Sequence, residues 1–223
     1  MKKLKLPNLI GTIQLSALPG SPGSRDLHPT DAVRIAGLRA VKEARELKKA
    51  GFKALMLENT GDTPYFERSV SPETLASFAF IAAAVREAVS VPLGIRVLRN
   101  DSRAALAIAA VTGLEFIRVR GLMTTGAELL RERDRLGAEV AILADLSNDP
   151  RSFLRESGAD GVIIPVGIAA ETVAALRAAN AKTKLPVWVA DGVRDSFARE
   201  IQSMGFGALI ESNHRAVAKA FKK

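Results

Sequence analysis

The sequence contains no cysteine and only two histidines, His28 and His214, among its 223 residues. Without thiols it has no disulfide framework, no thiolate metal site and no cysteine nucleophile. Two imidazoles are too few for a multi-histidine zinc centre. Aromatic residues make up 5% of the chain, too sparse for a platform on which nucleobases stack. No apolar run reaches the roughly 18 residues of a membrane-spanning helix. The opening Met1-Lys2-Lys3-Leu4-Lys5-Leu6-Pro7 is charged but lacks the apolar stretch of a secretory signal. The expected compartment is therefore the cytosol. Acidic residues are the minority, 24 against 32 Lys+Arg, for a net charge of +8. The basic residues are spread along the chain, so nucleic acid is not the expected partner. Asn and Gln total eight and Arg outnumbers Lys by 20 to 12, a bias that points toward a heat-stable protein.

What the chain does contain is alternation. Short β-branched or apolar runs at 9–14, 54–58, 93–98, 116–120, 140–145, 161–165, 187–190 and 208–211 are each followed by an Ala/Leu/Arg/Glu-rich helical pattern. In the first helical stretch Leu38, Val41, Ala44 and Leu47 recur at spacing three, and Lys48-Lys49-Ala50-Gly51 supplies the cations and glycine of a helix end. The second opens with Ser71-Pro72-Glu73, a cap residue and a first-turn proline. Alternating β and α units imply parallel strands with right-handed crossovers. Eight units in 223 residues match the count that closes a (β/α)8 TIM barrel, expected to form a single domain over 1–223. The open doubly wound alternative usually carries a glycine-rich phosphate loop after its first strand, and Gln14-Leu15-Ser16-Ala17-Leu18-Pro19-Gly20 is not one.

Barrel enzymes hold their chemistry at the C-terminal ends of the strands. Those ends are polar here: Gln14; Glu58, Asn59 and Asp62; Arg99, Asn100 and Asp101, with Arg96 just before; Arg118 and Arg120; Asp145; Asp191; Glu211. Arg118 and Arg120 are two apart and share a face, and a guanidinium pointing inward must be paired. Each position also has a structural reading. Asp101 before Ser102-Arg103-Ala104 is a good helix cap, Asn148-Asp149-Pro150 reads as a cap with a first-turn proline, and Gly61-Asp62-Thr63-Pro64 reads as a turn. His28 reads as a loop residue and His214 as a structural one.

The motifs resemble the BtpA/SgcQ family. The resemblance is carried by Ile10-Gly11-Thr12-Ile13-Gln14-Leu15, by 54–65 around Glu58-Asn59-Thr60-Gly61-Asp62, by 92–101 around Ile95-Arg96-Val97-Leu98-Arg99-Asn100-Asp101, and by Phe116-Ile117-Arg118-Val119 and Ala144-Asp145. It is specific through residue 120 and thins afterwards. It implies a barrel fold, with cyanobacterial members tied to photosystem I biogenesis and a sugar, nucleoside or phosphorylated ligand for others. The same resemblance marks departures. Gln14 stands where the family usually has histidine, and Arg96 and Arg120 where it has asparagine. Ala190-Asp191-Gly192 replaces Gly-Ser-Gly, and Glu211-Ser212 replaces Gly-Thr. Loops seven and eight are where barrels commonly bind phosphate, and two carboxylates there repel it. The new charges are therefore expected to pair within one cluster at the mouth. Truncating Arg120 is expected to cost on the order of 3–5 kcal/mol, and removing Glu211 as well to restore much of it.

Two functions follow as expectations. One is a barrel binding or acting on a small polar metabolite, with Glu58 and Asp145 as acid and base. Gln14, Asn59, Asp62, Arg99, Asn100, Asp101, Arg118, Arg120 and Asp191 would then bind the substrate. Glu58, Asp62 and Asp145 are the oxygen ligands a hard cation would take, but no metal is assigned and no cofactor is identified. The other is a non-catalytic barrel with a filled site acting in complex assembly. A homodimer through the apolar stretches 76–84 and 162–176 is also expected.

Overall fold

The computed structural model of the chain describes residues 6–146, 149–211 and 214–221; Ser147, Asn148, Ser212 and the terminal lysines lie outside them. In chain order the elements are β1 (Leu9–Gln14), α1 (Pro29–Ala50), β2 (Ala54–Glu58), α2 (Pro72–Ala88), β3 (Leu93–Arg96), α3 (Ser102–Thr112), β4 (Phe116–Val119) and α4 (Leu122–Arg135). They continue with β5 (Ala141–Asp145), α5 (Pro150–Glu156), β6 (Gly161–Pro165), α6 (Ala170–Thr183), β7 (Val187–Ala190), α7 (Ala198–Ser203), β8 (Gly207–Ile210) and α8 (His214–Phe221). The strands pair in parallel in sequence order and β8 pairs back onto β1, so the sheet is a closed (β/α)8 barrel.

The helices start and stop where the local chemistry says they should. The Ser71 hydroxyl accepts from the Thr74 N–H, the Asp101 carboxylate from the Ala104 N–H, and Asp149 from the N–H groups of Arg151 and Ser152. Helix α1 closes on Gly51 at φ 106°, a left-handed conformation glycine adopts without a Cβ penalty. Three strands are shorter than the apolar runs suggest, β5 only in that it starts one residue late, at Ala141. After Arg96 the chain leaves the ladder, and the Leu98 N–H bonds to the Asn59 side chain instead of to a neighbouring strand. Strand β4 stops at Val119 because Gly121, at φ 71°, turns the chain straight into α4. The stretch 162–176 is not one helical face: it comprises most of β6, a loop and the first half of α6.

Two cores result from the period-2 alternation of each strand. Outward residues such as Leu55, Leu57, Ile95, Ile117, Ile142 and Ile164 pack under the helices. Inward residues fill the barrel: Ile10, Met56, Phe116, Leu143, Ile163, Trp188 and Leu209. Phe116 and Trp188 need glycine opposite them. A Cβ on Gly94 would overlap the Phe116 ring, and one on Gly207 would overlap the Trp188 indole. The indole N–H donates to the Pro7 carbonyl at 3.2 Å, so the segment before β1 closes the bottom of the barrel. The lower interior is thus an apolar plug.

Candidate functional site

Above the plug the inward positions turn from apolar to charged. Register places Gln14, Glu58 and Arg96 side by side on β1, β2 and β3. Arg118 lies one inward step above Phe116 on β4, and Asp145 ends β5. Arg118 is the hub. Its side chain is 0% exposed. Nε donates to Asp145 Oδ1 at 2.8 Å, and Nη2 donates to Asp191 Oδ1 at 3.0 Å and Oδ2 at 3.1 Å. Nη1 has Glu211 Oε1 at 3.6 Å and Glu58 Oε1 at 4.0 Å, attractive distances but too long for a formed hydrogen bond. Arg96 Nη1 donates to Glu58 Oε1 at 3.3 Å with both side chains buried.

The expected cluster of new charges exists, but its ion pairs run to Glu58, Arg118 and Asp145 rather than from one new charge to another. Among the described residues Arg120 pairs with Asp145 alone, at 3.2 Å, and its side chain is 52% exposed. It does not bond to Glu211. Lying just beyond the end of β4, it has its guanidinium at the rim in water, while Arg118 occupies the interior. The expected large cost of truncating Arg120, and its rescue at Glu211, therefore do not follow; the large cost belongs to Arg118.

Protonation divides Glu211 from Asp191. Burial, the nearby Glu58 charge and a hydrogen bond with Asp191 push the Glu211 carboxyl up to about 7, against the opposing pull of Arg118. Burial alone would raise Asp191 too, but the charge and hydrogen bond of Arg118, with the hydrogen bond from Glu211, hold it below the usual carboxylate range. The two form a pair in which Glu211 carries the proton and Asp191 the charge. Burial opposes the charged form of Arg118, yet Asp145, Asp191 and Glu58 outweigh it and keep the guanidinium protonated. Asp191 sits at φ 59°, a left-handed conformation that Asp tolerates better than most residues, and its carboxylate bonds to Arg118 from there.

Of the remaining expected site residues, Gln14 is in register with Glu58 and the others lie elsewhere. Gln14 is exposed at the end of β1. Asn59 is buried and fully engaged: its amide donates to Asp62 Oδ2 at 2.9 Å and its carbonyl accepts from the Leu98 N–H at 2.7 Å. Asp62 accepts from the Leu18 N–H at 2.7 Å, which ties the loop after β2 to the loop after β1. Asp101 caps α3 and also accepts from the Val70 N–H at 2.9 Å. Arg99 and Asn100 are exposed on the same loop. Among the described residues no three acidic or histidine side chains are placed to hold a metal ion, so Glu58, Asp62 and Asp145 do not converge. His28 is an exposed loop residue whose Nδ1 lies 2.8 Å from Thr30 Oγ1. His214 is structural: Nε2 meets the Thr12 carbonyl at 3.1 Å, the ring packs edge-on against Phe52, and burial keeps its pKa low.

Glu211 and Arg96 were legible as charges at the mouth but not as members of the site. Their role depends on which strands become neighbours. A second feature had no sequence signal. A cleft of about 270 Å³ lies among the loops after β1, β2 and β3, lined in part by Ser21, Asp62, Tyr65, Phe66 and Leu98.

Comparison with known proteins agrees with this architecture. An uncharacterised protein of Pyrococcus abyssi is 39% identical over a match covering 70% of this chain and 66% of that protein. The photosystem I biogenesis protein BtpA of Synechocystis is 31% identical over 78% of this chain and 70% of its own length. Among solved structures, 7,8-dihydropteroate synthase from Vibrio fischeri superposes with a TM-score of 0.69 at 14% identity, covering 99% of this chain and 94% of that one, a likeness of fold alone. The BtpA family profile matches residues 5–220, and the chain belongs to the BtpA family.

Proposed function

We propose that the barrel binds and acts on a small, uncharged polar metabolite at its C-terminal mouth, with Glu211 as the proton-transferring acid. Asp191 is the carboxylate that shares its proton, and Glu58 and Asp145 hold Arg118 in place beneath them. The observation that carries this reading is the division of Glu211 from Asp191. Two adjacent carboxyls whose surroundings push their pKa values apart are the usual basis of acid–base work near neutral pH. Charge favours an uncharged ligand. Three guanidiniums, Arg96, Arg118 and Arg120, face Glu58, Asp145, Asp191 and Glu211. With Glu211 protonated the set balances, leaving no surplus positive field for a phosphate. The chain is read as one domain acting in the cytosol; among the described residues no helix is long and apolar enough to cross a membrane.

A second reading rests on the enclosure of Arg118. A guanidinium with 0% exposure and four acids around it fills space a substrate would need. The barrel would then be a non-catalytic scaffold in complex assembly, in line with the name of its Synechocystis relative. Thermal-shift measurements with a panel of neutral sugars and nucleosides, beside inorganic phosphate and ribose 5-phosphate, separate the two. The metabolite reading expects a neutral compound to raise Tm by several degrees, with the gain lost in Glu211→Gln, and phosphates to raise it little. A panel without effect, or a gain confined to the phosphates, would overturn it.

A further inference from the structure

We propose that the cleft among the first three βα loops is a second ligand subsite, built for a planar, uncharged ring that carries an N–H or NH2 donor. The cleft shares no lining residue with the Arg118 cluster. The inference therefore stands apart from the proton chemistry proposed at Glu211.

Size sets the first limit. At about 270 Å³ the cleft lies just under the range of drug-sized pockets and above the roughly 150 Å³ that accepts a benzene ring. One ring, or two fused rings, fits. The walls set the second limit. Phe66 is 55% exposed and stands with Tyr65, Val70 and Leu98 around the cleft, offering a ring face to a ligand. The Tyr65 hydroxyl is occupied by the Thr60 carbonyl at 2.9 Å, so its bond partner is fixed before any ligand arrives.

The polar groups set the third. Each oxygen of Asp62 accepts one hydrogen bond, from the Leu18 N–H and from the Asn59 amide. A carboxylate oxygen can accept two, so Asp62 keeps acceptor capacity at the cleft wall. Beside it the Ser21 hydroxyl, in a residue only 8% exposed, faces the Asp62 carboxyl and helps stabilise its charged form, short of a full hydrogen-bond geometry. A ligand donor placed between the Ser21 hydroxyl and Asp62 would bond to both oxygens. Asp62 is acceptor-only when ionised, so the matching ligand edge is a donor. A carboxylate or phosphate on the ring would meet Asp62 with like charge, and among the cleft's lining residues there is no cation to offset it.

The test uses the whole chain and two matched probes, benzamide and benzoate, titrated while amide resonances are followed by 1H–15N NMR. Benzamide should give saturable shifts at the amides of Leu18, Ser21 and Leu98, with benzoate at least tenfold weaker. Phe66→Ala, an exposed change that leaves the core untouched, should weaken benzamide about fivefold. Ser21→Ala should weaken it as well, with the spectrum otherwise unchanged. Benzoate binding as well as benzamide, shifts that fail to saturate or fall elsewhere, or unchanged affinity in both variants would each overturn the proposal.

Discussion

Replacing Arg118 by methionine removes the guanidinium that joins β4 to β5, β7 and the ends of β2 and β8, while keeping an unbranched side chain above Phe116. At about 3 Å a charge pair attracts by roughly 5–6 kcal/mol at an effective dielectric of 20, and desolvation of the partners offsets most of that. Deleting one member is different, because it leaves the other charge in place. Such losses run about 3–5 kcal/mol for buried pairs. Three ionised acids would then face two arginines. Asp191 and Asp145 retain side-chain exposures of 38% and 14%, so water or a proton can relieve them. The expected loss is therefore at the lower end, about 3 kcal/mol at pH 7. Arg120→Met removes a half-exposed cation from one contact and should cost under about 1 kcal/mol. Adding Asp191→Asn to Arg118→Met should recover a good part of the loss, because it removes the charge left stranded. Urea unfolding of the four proteins at equal m-value gives the comparison directly. Equal costs at 118 and 120, or an Arg118→Met loss below about 1 kcal/mol, would refute the hub.

Stability should also depend on Glu211. Its folded pKa of about 7 lies above the model-compound 4.5, so the folded state binds the extra proton between those values. That contribution is full below 4.5 and is lost as pH rises through 7; Glu211→Gln should flatten this slope in unfolding curves measured from pH 5 to 8. Gly94→Ala forces a methyl into the Phe116 ring and should cost about 1–3 kcal/mol by chemical denaturation, with Phe116→Leu in the same chain restoring part of it. Phe80 is 65% exposed on α2, within the stretch 76–84 expected to bury itself between two copies. Sedimentation should show a dimer at micromolar concentration and a monomer for Phe80→Glu; a wild-type monomer would remove the homodimer from the account.

Much of the fold was legible because it rests on local chemistry. The caps at Ser71, Asp101 and Asp149 are set by side chains two or three residues from the N–H groups they satisfy. Strand ends were legible only to within two residues, since β3 ends where Leu98 finds Asn59, a partner 39 positions away. The charged mouth was legible as a set of polar strand ends, but not its wiring. Arg118 and Arg120 share a sequence face and differ in burial because the strand stops between them. Arg118 meets Asp145 and Asp191 at separations of 27 and 73 residues, which no spacing rule reports. Glu211 as the titrating acid depends on its burial and on Glu58, two quantities that exist only once the barrel closes.

The most direct test of the central claim is a 13C NMR titration of the glutamate side-chain carboxyls in the wild-type chain, with Glu211→Gln assigning the resonance. One carboxyl that titrates near pH 7 and vanishes in the variant is the expected result. A Glu211 midpoint close to the model-compound 4.5 would contradict it, leaving the mouth of the barrel without an acid suited to neutral pH.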